Sequence, residues 1–149
     1  MQIQIVMART ASATLSVGSW GSPATTRRSM MSDIMFGAAE ATPGDFGFVW
    51  EVQACTTQGT NTSITLTAAN PADGTPTITA GQNHSADPTL TANQVRLSIG
   101  LNQRSTYRWV APPGSELYTP ATSANGLAVR TPTAGALVSC RANATVFEL

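Results

Sequence analysis

Residues 95–111, VRLSIGLNQRSTYRWVA, restrict the fold of this chain more than any other stretch. Val95, Leu97, Ile99 and Leu101 are apolar at every second position, with Arg96, Ser98 and Gly100 between them. That two-residue period belongs to a strand with one buried face. Asn102-Gln103-Arg104 is polar and suits a turn, so residues 105–111 are expected to run back as a second strand. Tyr107, Trp109 and Ala111 then share one face, and Thr106, Arg108 and Val110 the other. Pro112-Pro113-Gly114 ends this predicted hairpin, because proline has no N–H to continue a ladder.

The same period recurs along the chain. In residues 2–8, Ile3, Ile5 and Met7 alternate with Gln2, Gln4 and Val6, which suits an edge or half-buried strand. Residues 10–17 alternate Ala11, Ala13, Leu15 and Val17 with hydroxyl residues and predict another strand. Residues 18–26, GSWGSPATT, read as a loop on which Trp20 is either a buried anchor or an interface contact. Met30, Met31, Ile34 and Met35 fall along one side of a helix, so residues 29–41 are the one helix candidate, weakened by Gly37. A turn at Pro43-Gly44-Asp45 precedes a central strand whose inward face is Phe46, Phe48, Trp50, Val52 and Ala54. Burial of each such ring contributes on the order of 2–3 kcal/mol.

Residues 56–94 are rich in Thr, Ala, Asn and Gly, with turns at Asn70-Pro71, Asp73-Gly74 and Asp87-Pro88. Shallow, exposed strands at residues 64–68 and 75–80 and long loops are expected there. Beyond the hairpin come a short strand within 116–121, a turn at Asn125-Gly126, an extended run at 127–131 and a last strand from Val138 to the end. The sum is an all-β chain: a β-sandwich or jelly roll of about eight strands, with at most one short helix. Residues 1–149 form one domain in this reading, with the N-terminal strand a candidate interaction arm.

Charge enters the argument where function does. Only 11% of the residues are charged, against about 25% in ordinary soluble domains. All basic residues are arginines, and they balance the acids to a net charge of zero. Such a surface has little repulsion to oppose association. It also lacks a basic stripe: Arg27-Arg28 is the one adjacent pair, and Arg104 and Arg108 lie four apart, so no direct nucleic-acid binding is expected. No apolar run approaches the ~20 residues of a membrane span, and the start lacks the basic lead of a signal peptide.

Reactive residues are few and scattered. Cys55 and Cys140 would make one disulfide if their strands were adjacent; with no sign of secretion, two free thiols are favoured. His84 is alone, and with the cysteines it lacks the local spacing of a zinc site. Asp73 and Asp87 fit turns rather than a calcium loop. There is no G-x-S-x-G elbow beside His84 and no evident carboxylate pair. Hence no catalytic residue, cofactor or metal is expected, and the chain does not read as an enzyme.

NQRSTYRWVAPPGSELYTPATSANGLAVRTPT, together with the closing ANATVFEL, resembles the C-terminal part of small β-rich structural proteins of tailed bacteriophages, the head decoration or cement proteins among them. The likeness covers roughly the last third and lies in texture. The chain is lysine-free and rich in Thr, Ala and Asn, and an aromatic strand is followed by a proline turn and short ladders. The resemblance implies a virion protein made in the host cytoplasm and carried on the capsid exterior. Its partners would be the major capsid protein and copies of itself, as a homotrimer. The candidate contact residues are Ile3, Ile5, Trp20, Arg104 and Arg108, the last with a plain solvent-facing role as its alternative. The competing expectation is a tail, neck or fibre module that uses the loops of residues 56–94 to recognise carbohydrate or another virion protein.

Overall fold

The computed structural model describes residues 1–23, 25–133 and 138–149. Among them there are eleven strands and no helix: β1 (Gln2–Thr10), β2 (Gly18–Gly21), β3 (Ser29–Ala38), β4 (Gly47–Cys55), β5 (Thr60–Ser63), β6 (Thr79–Ala86), β7 (Leu90–Asn102), β8 (Thr106–Val110), β9 (Leu117–Tyr118), β10 (Gly126–Arg130) and β11 (Ser139–Glu148). Two antiparallel sheets face each other. One has the order β1-β11-β3-β8, with β9 also paired to β3; the other runs β5-β6-β2-β10-β4-β7. Setting aside the short β9 and the β5–β6 pair at one edge, eight strands remain. They pair as a nested hairpin, β1 with β11, β2 with β10, β3 with β8 and β4 with β7. Wrapping that hairpin into two sheets produces the double Greek key of a jelly roll.

The core lies between the sheets. Ile3, Ile5, Met7, Ile34, Phe36, Ala144 and Val146 face inward from one sheet, and Trp20, Phe48, Trp50, Val52, Leu127 and Val129 from the other. Along β1 and β11 the expected alternation holds residue by residue.

Several local expectations are corrected. Residues 95–111 are not a hairpin: β7 pairs with β4 in one sheet and β8 with β3 in the other, so the turn at 103–105 carries the chain across the sandwich. That crossing is fastened, since Gln103 N–H donates to the Phe46 carbonyl at 2.8 Å. Residues 29–41 begin as a strand, not a helix. Ser32 has no opposite number on β11, and this bulge places buried Met31 and Ile34 three residues apart, imitating a helical period. Residues 11–17 lie outside the strands because the Ser12 hydroxyl accepts from Thr14 N–H and Leu15 N–H, drawing the backbone into a local turn.

Residues 18–21 form β2, interior to its sheet, in place of the expected loop; Ala24, within that same expected loop, lies outside the described residues. Phe46 precedes β4 and is exposed rather than inward-facing. Register shifts against β7 after Val52 leave Gln53 and Cys55 buried, where alternation had placed Ala54. The strand expected at 75–80 instead starts at Thr79 and runs on to Ala86. A turn closed by Asn125 N–H to the Thr122 carbonyl precedes Gly126, which itself opens β10.

Candidate functional site: the outer face of the five-stranded sheet

Register decides what this face displays. On β1, β11, β3 and β8, the residues out of phase with the core point to solvent. They align in the rows Val6–Asn143–Met35–Arg108 and Gln4–Thr145–Asp33–Val110, and a third row carries Gln2, Phe147, Met30 and Tyr118. Four apolar side chains stand well into solvent: Val6 at 49% exposure, Met35 at 40%, Val110 at 55% and Tyr118 at 46%. Met35 borders two grooves. One, of about 210 Å³, also touches Val6, Thr106 and Ala142; the other, of about 350 Å³, is lined by Gln4, Asp33, Arg108, Asn143 and Thr145.

Arg108 is held on this face. Its Nε donates to Asp33 Oδ2 at 2.9 Å and Oδ1 at 3.1 Å, and Nη2 also reaches Oδ2. The hydrogen bond first, and the Asp33 charge second, raise the guanidinium pKa above its ordinary value. The pair offers a fixed, planar guanidinium beside Met35, a form of arginine suited to contact surfaces.

The other candidate contact residues fall elsewhere. Ile3, Ile5 and Trp20 are fully buried in the core and have no surface to offer a partner. The physical reason is the same for all three: the inward phase of β1 and of β2 is the phase that closes the sandwich. β1 is no free arm, because it is paired with β11 from Gln2 to Thr10. Arg104 sits on the sheet-crossing turn with its Nε 2.8 Å from Asp45 Oδ1, both side chains largely exposed. Only Arg108 and Arg104 therefore remain on the surface, and only Arg108 joins the apolar face.

Val6 and Val110 were legible as apolar residues on the solvent phase of their strands, among Gln2 and Gln4 or Thr106 and Arg108. Met35 was hidden by the helical spacing that the bulge creates.

His84 and the cysteines have been drawn inside. His84 Nε2 lies 3.0 Å from Ser19 Oγ and 3.1 Å from the Gln58 carbonyl, while Nδ1 lies 3.2 Å from the Ser16 carbonyl. This serine–histidine contact is buried on both sides, and Nδ1 meets a backbone carbonyl where a catalytic triad would place a carboxylate. Asp87 turns to Ser16 instead, accepting from its N–H and hydroxyl. Burial lowers the His84 pKa, against the pull of those carbonyls. Cys55 and Cys140 are free thiols, pushed up by burial to about 11 and about 12 respectively. Thiols so far from ionisation are poor nucleophiles at neutral pH.

Comparison with known proteins places no neighbour beside this geometry: no family model, no curated protein and no solved structure matches the chain.

Proposed function

We propose that this chain is a structural protein of a virus particle, of the head-decoration type, which docks on major capsid subunits through the outer face of its five-stranded sheet. The observation that carries the reading is the group Val6, Met35, Val110 and Tyr118, exposed together on a charge-poor face around the Arg108–Asp33 pair. Solvated apolar side chains gathered on one sheet face are what a protein contact uses. Arginine supplies direction in such a contact. The jelly roll is an architecture used by viral capsid domains and also by lectins, so it supports the reading without fixing it.

Weak docking contacts become firm when several copies act together, and a homotrimer on the capsid exterior would gain from effective concentration in this way. The test has two parts. Light scattering behind size exclusion reads the mass of the purified 15.5 kDa chain, with a trimer expected. Adding it to capsids that lack it reads occupancy, with saturable binding lost in Met35→Asp. A monomer without affinity for particles would sink the proposal.

A further inference from the structure

A second surface feature adjoins the docking face at Arg141, at the end of the sandwich where β1, β6 and the start of β11 meet. A cleft of about 390 Å³ opens there, with Arg9, Arg141, Gln82 and Asn83 among its lining residues. Its chemistry is one-sided. Ala8 N–H donates to Gln82 Oε1 at 2.8 Å, and Arg9 Nη1 donates to Asn83 Oδ1 at 3.4 Å. A backbone amide and a guanidinium can only donate, so both side-chain amides must turn their oxygens toward them. Among the described residues their NH₂ groups have no acceptor. The hydroxyl residues Thr10, Thr62 and Ser139 complete the lining.

The arginines are also short of partners. Four of the eight, Arg27, Arg104, Arg108 and Arg130, have a carboxylate within 4.0 Å among the described residues; Arg9 and Arg141 belong to the other four. Arg9 Nε is buried with no hydrogen-bond acceptor among the described residues, although Nη1 also donates to the His84 carbonyl. That Nε has almost no accessible surface, so Arg9 serves the cleft through its charge and not through this atom. Desolvation lowers the Arg9 pKa, and the Asp87 charge works the other way. Among the described residues no carboxylate lines the cleft. Glu40 is occupied by Ser139 N–H, and Asp87 by Ser16.

We propose that this cleft binds an oxyanion, a carboxylate or phosphate group borne by a small ligand, drawn by the positive charge of Arg9 and Arg141 and met by the Gln82 and Asn83 amides as further donors. A donor-rich lining without a carboxylate among the described residues suits an anion, and two guanidinium groups add positive charge. The volume exceeds that of a bare ion and falls in the range of small-ligand pockets. Arg141 also lines the docking-face groove beside Val6 and Met35, and the anion site is tested by its own ligands and not by docking.

The test is an amide-resolved NMR titration at constant ionic strength with inorganic phosphate and, separately, with glucuronate. Saturable shifts confined to residues 8–10, 82–83 and 139–141 are expected. Tighter binding of phosphate marks a free oxyanion as the ligand, and tighter binding of glucuronate marks an acidic sugar. Arg141→Ala, at an exposed side chain, is expected to weaken binding about tenfold, as for loss of one charge-assisted contact. Arg96→Ala, on the edge strand β7, should leave it unchanged. The proposal is overturned if neither probe saturates, if Arg141→Ala has no effect, or if Arg96→Ala weakens binding equally.

Discussion

Phe36 of β3 and Trp50 of β4 meet across the sandwich with ring centroids 5.0 Å apart and planes inclined at 32°. Phe48 adjoins Trp50 at 5.7 Å, so the two sheets are joined by one aromatic cluster. Trp50→Ala is expected to remove about 3–5 kcal/mol of stability, as for other buried aromatics. A double-mutant cycle with Phe36→Ala should show about 0.5–1.5 kcal/mol of coupling. Urea unfolding followed by fluorescence measures both, and additive effects would contradict the contact.

Gly126 faces a different limit. A Cβ placed there would lie 1.8 Å from the Trp20 carbonyl oxygen, and that backbone cannot retreat without opening the β2–β10 pair. Gly126→Ala should therefore cost about 1–3 kcal/mol or more through overpacking. Gly100→Ala, where nothing lies within 4 Å, serves as the matched control and should be close to neutral. Thermal unfolding of the two variants side by side decides the matter.

Acid should weaken the fold in two stages. Neutral His84 is buried, and its folded pKa lies below the ordinary 6.5 because of desolvation. The unfolded chain therefore takes up that proton first, and stability begins to fall as pH drops through about 6.5. Glu148 acts lower. Burial works to raise its pKa, but hydrogen bonds from the Thr77 hydroxyl and N–H, with the charge of Arg27, outweigh that and hold it below 4.5. Its contribution is complete above 4.5 and is lost as pH falls through the depressed folded value. Glu148→Gln should abolish the second stage and retain the first, as read from melting temperature against pH.

Both thiols should resist modification in the native state. With Cys55 raised to about 11 and Cys140 to about 12 by burial, a disulfide reagent at pH 8 is expected to react at the rate of unfolding. Addition of urea should accelerate both. Prompt native-state reaction of either cysteine would show that its strand opens locally.

On the docking face, Arg108→Ala should lower the melting temperature only modestly, because Arg108 itself is largely exposed although Asp33, at 18%, loses its partner. Capsid occupancy should fall all the same. Unchanged occupancy would remove Arg108 from the interface and leave the apolar group to act alone.

Much of the sandwich was readable because strands with one buried face write their period into the sequence, as in residues 2–8 and 138–149. The errors cluster where something interrupts that period. One extra residue at Ser32 made a strand resemble a helix, and a side-chain hydrogen bond at Ser12 dissolved an apparently regular strand. β2 was missed because Gly18, Ser19 and Gly21 carry little apolar signal; they fit an interior strand where packing is tight, with Gly18 against Met7. The crossing at 103–105 has the composition of a hairpin turn, and only the pairing of β4 with β7 and of β3 with β8 distinguishes the two. For the surface, burial mattered most: Ile3, Ile5 and Trp20 have the chemistry of contact residues but the strand phase of the core.

The nesting of β1 against β11 has a bearing on how the molecule comes into being. β11 lies between β1 and β3, and its partners are up to about 145 positions away, as in Gln2 with Phe147. Loop closure over such separations is slow to be repaid, so this is a slow-folding topology. During synthesis β1 and β3 must wait, each with an open edge, until the strand between them leaves the ribosome. Crowded cells therefore meet this protein first as a set of unsatisfied edges, the form in which chaperones and self-association compete for it.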